Sequence, residues 1–120
     1  MRIAADVVVG LVALLHVYFL VLEMFLWDKP KGMRTFGLTP EKAAMTKSLA
    51  MNQGLYNGFL AAGLIGGLIG ADPTGFQVKV FFLACVIVAG VFGALTASRK
   101  ILWVQAVPGG VALGLVLAIR

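Results

Sequence analysis

Long apolar runs leave this chain few folds to choose from. They cover about residues 5–27, 48–70, 76–97 and 101–119, and most charged residues lie in the connections between them. A helix that crosses a hydrocarbon core about 30 Å thick needs roughly 20 such residues. A length of 120 residues therefore allows about four spans with short connections, and no separate soluble domain is expected. The runs lack the alternation of polar and apolar positions that marks the strands of an outer-membrane barrel. The expected fold is an all-α membrane protein, an antiparallel four-transmembrane-helix bundle forming one domain over residues 1–120.

Composition agrees. The chain is 61% hydrophobic and 12% charged, against about 45–50% and about 25% in soluble domains. Ten Lys and Arg against five Asp and Glu give a net charge of +5, which in a soluble domain would raise nucleic acid as a partner. Here most of the basic residues lie in the connections, where they set orientation and contact anionic lipid headgroups. The aromatic–basic interleaving of single-strand binders is missing, so no nucleic-acid partner is expected. Cys85 is the only cysteine, which excludes an intramolecular disulfide and reads as an apolar thiol within a span. The first run is too long for the core of a signal peptide, about 7–15 residues, and contains His16 and Glu23, so it reads as a retained helix.

The connections supply boundaries and orientation. Trp27 is an interfacial anchor, followed by the charged breaker Asp28-Lys29-Pro30-Lys31-Gly32. Thr39-Pro40-Glu41 is a helix start, with Thr as cap, Pro at the first position and an acid in the first turn. The second helix thus begins near Pro40 in the interface, enters the membrane near Ser48 and ends about Gly70. Lys29, Lys31, Arg34, Lys42, Lys47, Arg99 and Lys100 lie on one side of the bundle, and Arg2, Lys79 and Arg120 on the other. Positive residues favour the cytoplasmic side, which places both termini outside, in the periplasm, for a multi-pass protein of the inner (plasma) membrane.

Polar groups inside the spans point to a site. An ionisable side chain there costs on the order of 2.5–3.5 kcal/mol and usually faces a bundle interior. His16 and Glu23 lie seven residues apart, hence on one helix face, within the stripe Val9, Val12, His16, Leu20, Glu23 and Trp27. Span two carries Asn52, Gln53, Tyr56 and Asn57, with Asn52 above Tyr56 and Gln53 above Asn57 about 100° around. Glu23, Asn52, Gln53 and Gln105 are each about four residues inside the cytoplasmic end of a span, so they share a level. Tyr56 and Asn57 lie a turn deeper, near His16. Together these seven residues are the binding-pocket candidates, a polar wedge that narrows from the cytoplasmic side, while span three is a packing helix. Helix-bridging by the amides is the plainer reading, and it explains Glu23 least well.

Gly54 and Gly58, Gly63 and Gly67, and Gly66 and Gly70 repeat a spacing that lets helices approach closely. Their expected role is packing, with homo-oligomer formation through the same faces as a further use. Pro108-Gly109-Gly110 is expected to kink span four, because proline removes a backbone hydrogen bond.

The stretches HVYFLVLEMFLWDKP (16–30), FGLTPE (36–41), NQGLYNGFLAAGL (52–64) and QAVPG (105–109) resemble an uncharacterised family of small bacterial four-span membrane proteins, a domain-of-unknown-function family. The resemblance covers nearly the whole chain and implies a four-helix fold without an activity. Small multidrug exporters have a similar length and one acid in the first span, but here the acid lies near the span's end and has a histidine partner. The arginine-rich intramembrane motifs of the four-span eicosanoid and glutathione enzymes are absent. Membrane sterol isomerases share the residue palette by analogy alone.

Two functions of different kinds follow. In the first, the pocket binds or transports a small amphipathic or cationic compound, with Glu23 supplying charge and Asn52, Tyr56 and His16 orienting the solute. In the second, His16 and Glu23 are an acid–base pair acting on a lipid-like substrate, with Tyr56 stabilising an oxyanion. A structural or assembly bundle is the third reading. One histidine and one carboxylate are too few for a closed metal site, so neither a metal nor a cofactor is expected. The expected partners are the lipid bilayer and a small-molecule or lipid-like ligand.

Overall fold

A computed structural model describes residues 2–119. All regular structure among the described residues is helical: α1 (Arg2–Met24), α2 (Pro30–Phe36), α3 (Pro40–Ile69), α4 (Thr74–Thr96) and α5 (Val107–Ala118), the last preceded by a π-helical turn at Leu102–Ala106. α1 and α4 are long and apolar enough to cross a membrane. The stretch Leu102–Ala118 is apolar but shorter. α3 has the length, but Asn52, Gln53, Tyr56 and Asn57 lower its hydropathy.

The helix ends follow local chemistry. Thr39 caps α3 as expected, its Oγ1 accepting a hydrogen bond from the Lys42 N–H. α1 stops at Met24, three residues short of the expected Trp27, where the Leu26 N–H reaches back to the Val21 carbonyl and the chain turns. The stretch Asp28-Lys29-Pro30-Lys31-Gly32, expected as a breaker, restarts a helix at Pro30. Pro30 opens α2 with a preset φ, and Gly37 closes it at φ 66°, its N–H bonded to the Met33 carbonyl. The irregularity expected at Pro108 takes the form of the π turn just upstream. There the Val107 N–H bonds to the Leu102 carbonyl five residues back, next to a proline that has no N–H to donate.

The chain divides into two compact units. One holds the residues up to Leu14 and from Leu60 onward, the other Leu15–Phe59. The core of the first consists of Ala5, Val9, Val12 and Ala13 of α1, Leu64 of α3, Leu83 and Val86 of α4, and Ala112 and Val116 of α5. Such small side chains let backbones come close. A Cβ on Gly90 of α4 would lie 2.6 Å from the Ala106 backbone nitrogen, and one on Gly63 of α3 would lie 2.5 Å from the Phe82 ring. The second unit packs the later part of α1, α2 and the earlier part of α3. Trp27 Nε1 donates to Thr46 Oγ1 at 3.0 Å, the Trp27 and Phe36 rings lie 4.8 Å apart, and Lys47 pairs with Asp28 at 3.0 Å.

Candidate functional site

The polar centre of the second unit forms where α1 and α3 run antiparallel. The inward face of α3 repeats at helical spacing through the buried residues Ala50, Gly54 and Asn57. Gly54 sets the approach: a Cβ there would lie 2.6 Å from Met24 Cγ and 3.1 Å from Glu23 Cβ. Gly58 similarly admits Leu20, whose Cδ1 would be 2.7 Å from an added Cβ. One turn beyond Gly54, Asn57 donates its side-chain amide to Glu23 Oε1. Asn57 is buried and Glu23 half-buried.

The α1 stripe behaves as its spacing requires. Val9, Val12 and His16 are buried, and Leu20, Glu23 and Trp27 are half-buried. His16 is wholly buried, with its ring edge-on to Phe19 at 5.6 Å. Glu23 lies in the last turn of α1, closer to the helix end than expected, because the helix stops at Met24.

The expected pocket is gathered only in part. Glu23 and Asn57 meet, a turn deeper on α3 than the level expected for Glu23. Asn52, Gln53 and Tyr56 are exposed, because the inward stripe of α3 passes through Gly54 and Asn57 and leaves all three to its sides. Gln105 is half-buried within the π turn and belongs to the other unit. Cys85 is half-buried and free. Among the described residues no three His, Cys, Asp or Glu side chains converge as a metal site would require.

A second polar locus, in the first unit, was not anticipated. Lys79 of α4 is almost wholly buried, and its Nζ lies 3.6 Å from Asp6 Oδ1 of α1. That oxygen is itself buried and accepts no hydrogen bond. The Lys79 stem packs where α3 has Gly67, whose added Cβ would lie 2.6 Å from Lys79 Cγ. Nearby, Arg2 donates to Asp72 Oδ2 at 2.6 Å, while Asp72 Oδ1 accepts from the Phe76 N–H at the start of α4. The hydrogen bond from Arg2 holds the Asp72 carboxyl below the usual aspartate range. Lys47 does the same for Asp28. The signal for the Asp6–Lys79 pair was an acid and a base inside two apolar runs.

Comparison with known proteins agrees with the resemblance. Residues 10–117 match the family described as protein of unknown function DUF1304. The uncharacterized protein YpaA of Lactococcus lactis subsp. lactis (strain IL1403) is 30% identical over 105 residues, covering 86% of this chain and 85% of its own length. No solved structure matches the chain.

Proposed function

Since the chain belongs to the family described as protein of unknown function DUF1304, we propose from its own chemistry that it is a four-span inner-membrane protein whose Glu23–Asn57 site binds or transports a small cationic or amphipathic compound. The observation that carries this reading is the pairing of Glu23 with a neutral amide. Among the described residues Glu23 has no basic partner. A carboxylate held in an apolar setting with its charge uncompensated is a binding element for a cation. A carboxylate kept only to join two helices would gain nothing over a second amide.

The membrane assignment is supported by what α1 and α4 leave uncovered. Only 28% and 22% of their most apolar windows are buried, whereas the core helix of a soluble protein is mostly covered. Ile3, Val7, Leu11, Leu14, Tyr18 and Val21 of α1 are exposed apolar residues at helical spacing, as on a lipid-facing surface. The other two spans are the later part of α3 and Leu102–Ala118. With seven basic residues on one side, both termini are periplasmic. Reporter fusions should place residues 28–47 and 98–100 in the cytoplasm and 71–75 outside, and a cytoplasmic signal at 71–75 would reject four spans.

The purified chain in liposomes should bind or pass tetraphenylphosphonium, used as a lipophilic-cation probe. Glu23→Gln should abolish this while leaving the helical content unchanged. Undiminished binding and flux in that variant would overturn the proposal. The enzymatic alternative requires His16 and Glu23 to face one substrate, and the burial of His16 against Phe19 lends it no support.

A further inference from the structure

Within the unit Leu15–Phe59, the side of α3 that faces away from α1 carries polar groups that the unit leaves unmatched. At about 100° per residue, Asn52 lies about 160° from Gly54 and about 140° from Asn57, nearly opposite the inward stripe. Ser48, Tyr56 and Phe59 fall within about 40° of Asn52, and Leu49 and Leu55 flank them at about 60°. All six residues are exposed. The Tyr56 and Phe59 rings lie 6.0 Å apart on this face. Neither the Asn52 amide nor the Tyr56 hydroxyl has a hydrogen-bond partner among the described residues.

These groups lie too deep for headgroups to serve them. Trp27, the interfacial anchor, bonds to Thr46. Asn52 follows Thr46 by six residues and Tyr56 by ten, which places them about 9 Å and about 15 Å deeper at 1.5 Å per residue. The headgroup layer on one side of a bilayer is only about 5–8 Å thick. An amide or phenol turned towards acyl chains leaves its hydrogen-bonding groups unmet, and lipid cannot supply the partner.

A second copy of the chain can. Two copies in one membrane share an orientation, so their α3 helices run parallel. A twofold axis along the membrane normal then sets each residue against its own counterpart. Such an axis would bring like charges together, but it suits groups that both donate and accept. A carboxamide and a phenol do both, and α3 has no charged residue beyond Lys47. In parallel coiled coils a single asparagine at an interface position likewise fixes register and favours a defined pairing. Gly54 and Gly58, expected as a face for self-association, are instead filled by Glu23, Met24 and Leu20 of α1.

We propose that Asn52, Tyr56 and Phe59 form the contact through which two copies of this chain pair, with Asn52 bonded to its counterpart across a twofold axis. The proposal rests on the membrane reading above. Each copy keeps its own Glu23–Asn57 site, on the opposite side of α3.

Copies carrying Cys85→Ser and Ser98→Cys, labelled with a donor or an acceptor dye, are mixed in phosphatidylcholine vesicles at falling protein-to-lipid ratios. Energy transfer should follow a monomer–dimer equilibrium. Asn52→Leu should weaken pairing about tenfold, the size expected of one interhelical amide pair. Gln53→Leu, about 100° around the helix, should leave it unchanged. Helical content and unfolding temperature should be the same in both variants, since neither amide has a partner within the described residues. In a Cys85→Ser background, oxidation should cross-link Phe59→Cys between copies but not Val88→Cys of α4, which is also exposed. Energy transfer no greater than random proximity gives, pairing undiminished in Asn52→Leu, or cross-linking at Val88 in place of Phe59 each overturns the proposal while the membrane reading stands. A chain that alkaline carbonate strips from the vesicles overturns both.

Discussion

Asn57 of α3 donates its amide to the carboxylate of Glu23 in the last turn of α1. The contact exists because Gly54, one turn away, brings the two backbones close enough for a short amide to reach. Hydrogen bonds to charged groups are worth about 1.5–3 kcal/mol, and stranding one partner costs more than removing both. Asn57→Leu should therefore lower stability by about that amount, read as thermal unfolding in mild detergent. Glu23→Met/Asn57→Leu should recover most of the loss. Single-variant losses that simply add in the double variant would show that the two residues are not coupled.

The glycines separate into two groups that one substitution can tell apart. An added Cβ on Gly90 meets the Ala106 backbone at 2.6 Å, whereas one on Gly114 meets nothing within 4 Å. A backbone atom cannot rotate away as a side-chain tip can, so Gly90→Ala must push α4 from the π turn. Overpacking of this kind costs about 1–3 kcal/mol. Gly114→Ala should be neutral or slightly stabilising, since Ala is the better helix former by about 1 kcal/mol. Equal unfolding temperatures for the two variants would contradict the close approach. Gly66 also has open space around it, so the spacing of Gly66 and Gly70 did not itself identify a packing contact.

Local rules made part of this legible. The Thr39-Pro40 start of α3 and the inward stripe through His16 and Glu23 follow from capping and from the 3.6-residue period, both written within one helix. Which amide of α3 would meet Glu23 was not written there. Gln53 and Asn57 share a face to within a turn, and only the glycine-permitted contact with α1 selects Asn57. α2 escaped because seven residues with two charges show no apolar period, although Pro30 and Gly37 marked its ends. The Asp6–Lys79 pair escaped because each residue looked like the polar edge of its own apolar run. Their pairing depends on α1 and α4 meeting, which no local pattern encodes.

Lys79 offers a direct check on that pairing. Its side chain is almost wholly covered, and its only ion-pair partner among the described residues is Asp6. Removing one member of a buried pair typically costs about 3–5 kcal/mol, while an apolar replacement of both is often neutral. The half-exposed Asp6 argues for the lower end. Asp6→Leu should lower the unfolding temperature in detergent, and Asp6→Leu/Lys79→Met should restore much of it. If the double variant is no more stable than Asp6→Leu alone, Lys79 does not depend on Asp6.

The Arg2–Asp72 pair makes acid stability measurable at one connection. The hydrogen bond from Arg2 leads the forces that hold the Asp72 carboxyl below the ordinary aspartate value of 3.8. A carboxyl depressed in the folded state contributes stability at pH above its unfolded value. It loses that contribution as pH falls through the folded value. The contribution should be constant from neutral pH down to about 5, begin to fall near about 4, and be gone only once the pH is below the folded value. Both partners are substantially exposed, so the effect should be small and should weaken in high salt. Asp72→Asn keeps an oxygen to accept from the Phe76 N–H but removes the titrating charge, so it isolates the ion pair from the helix cap. Its unfolding temperature should fall less steeply with acid than that of the unsubstituted chain, and Arg2→Gln should show the same flattening. Acid limbs that superimpose for all three proteins would mean that the pair adds nothing to stability.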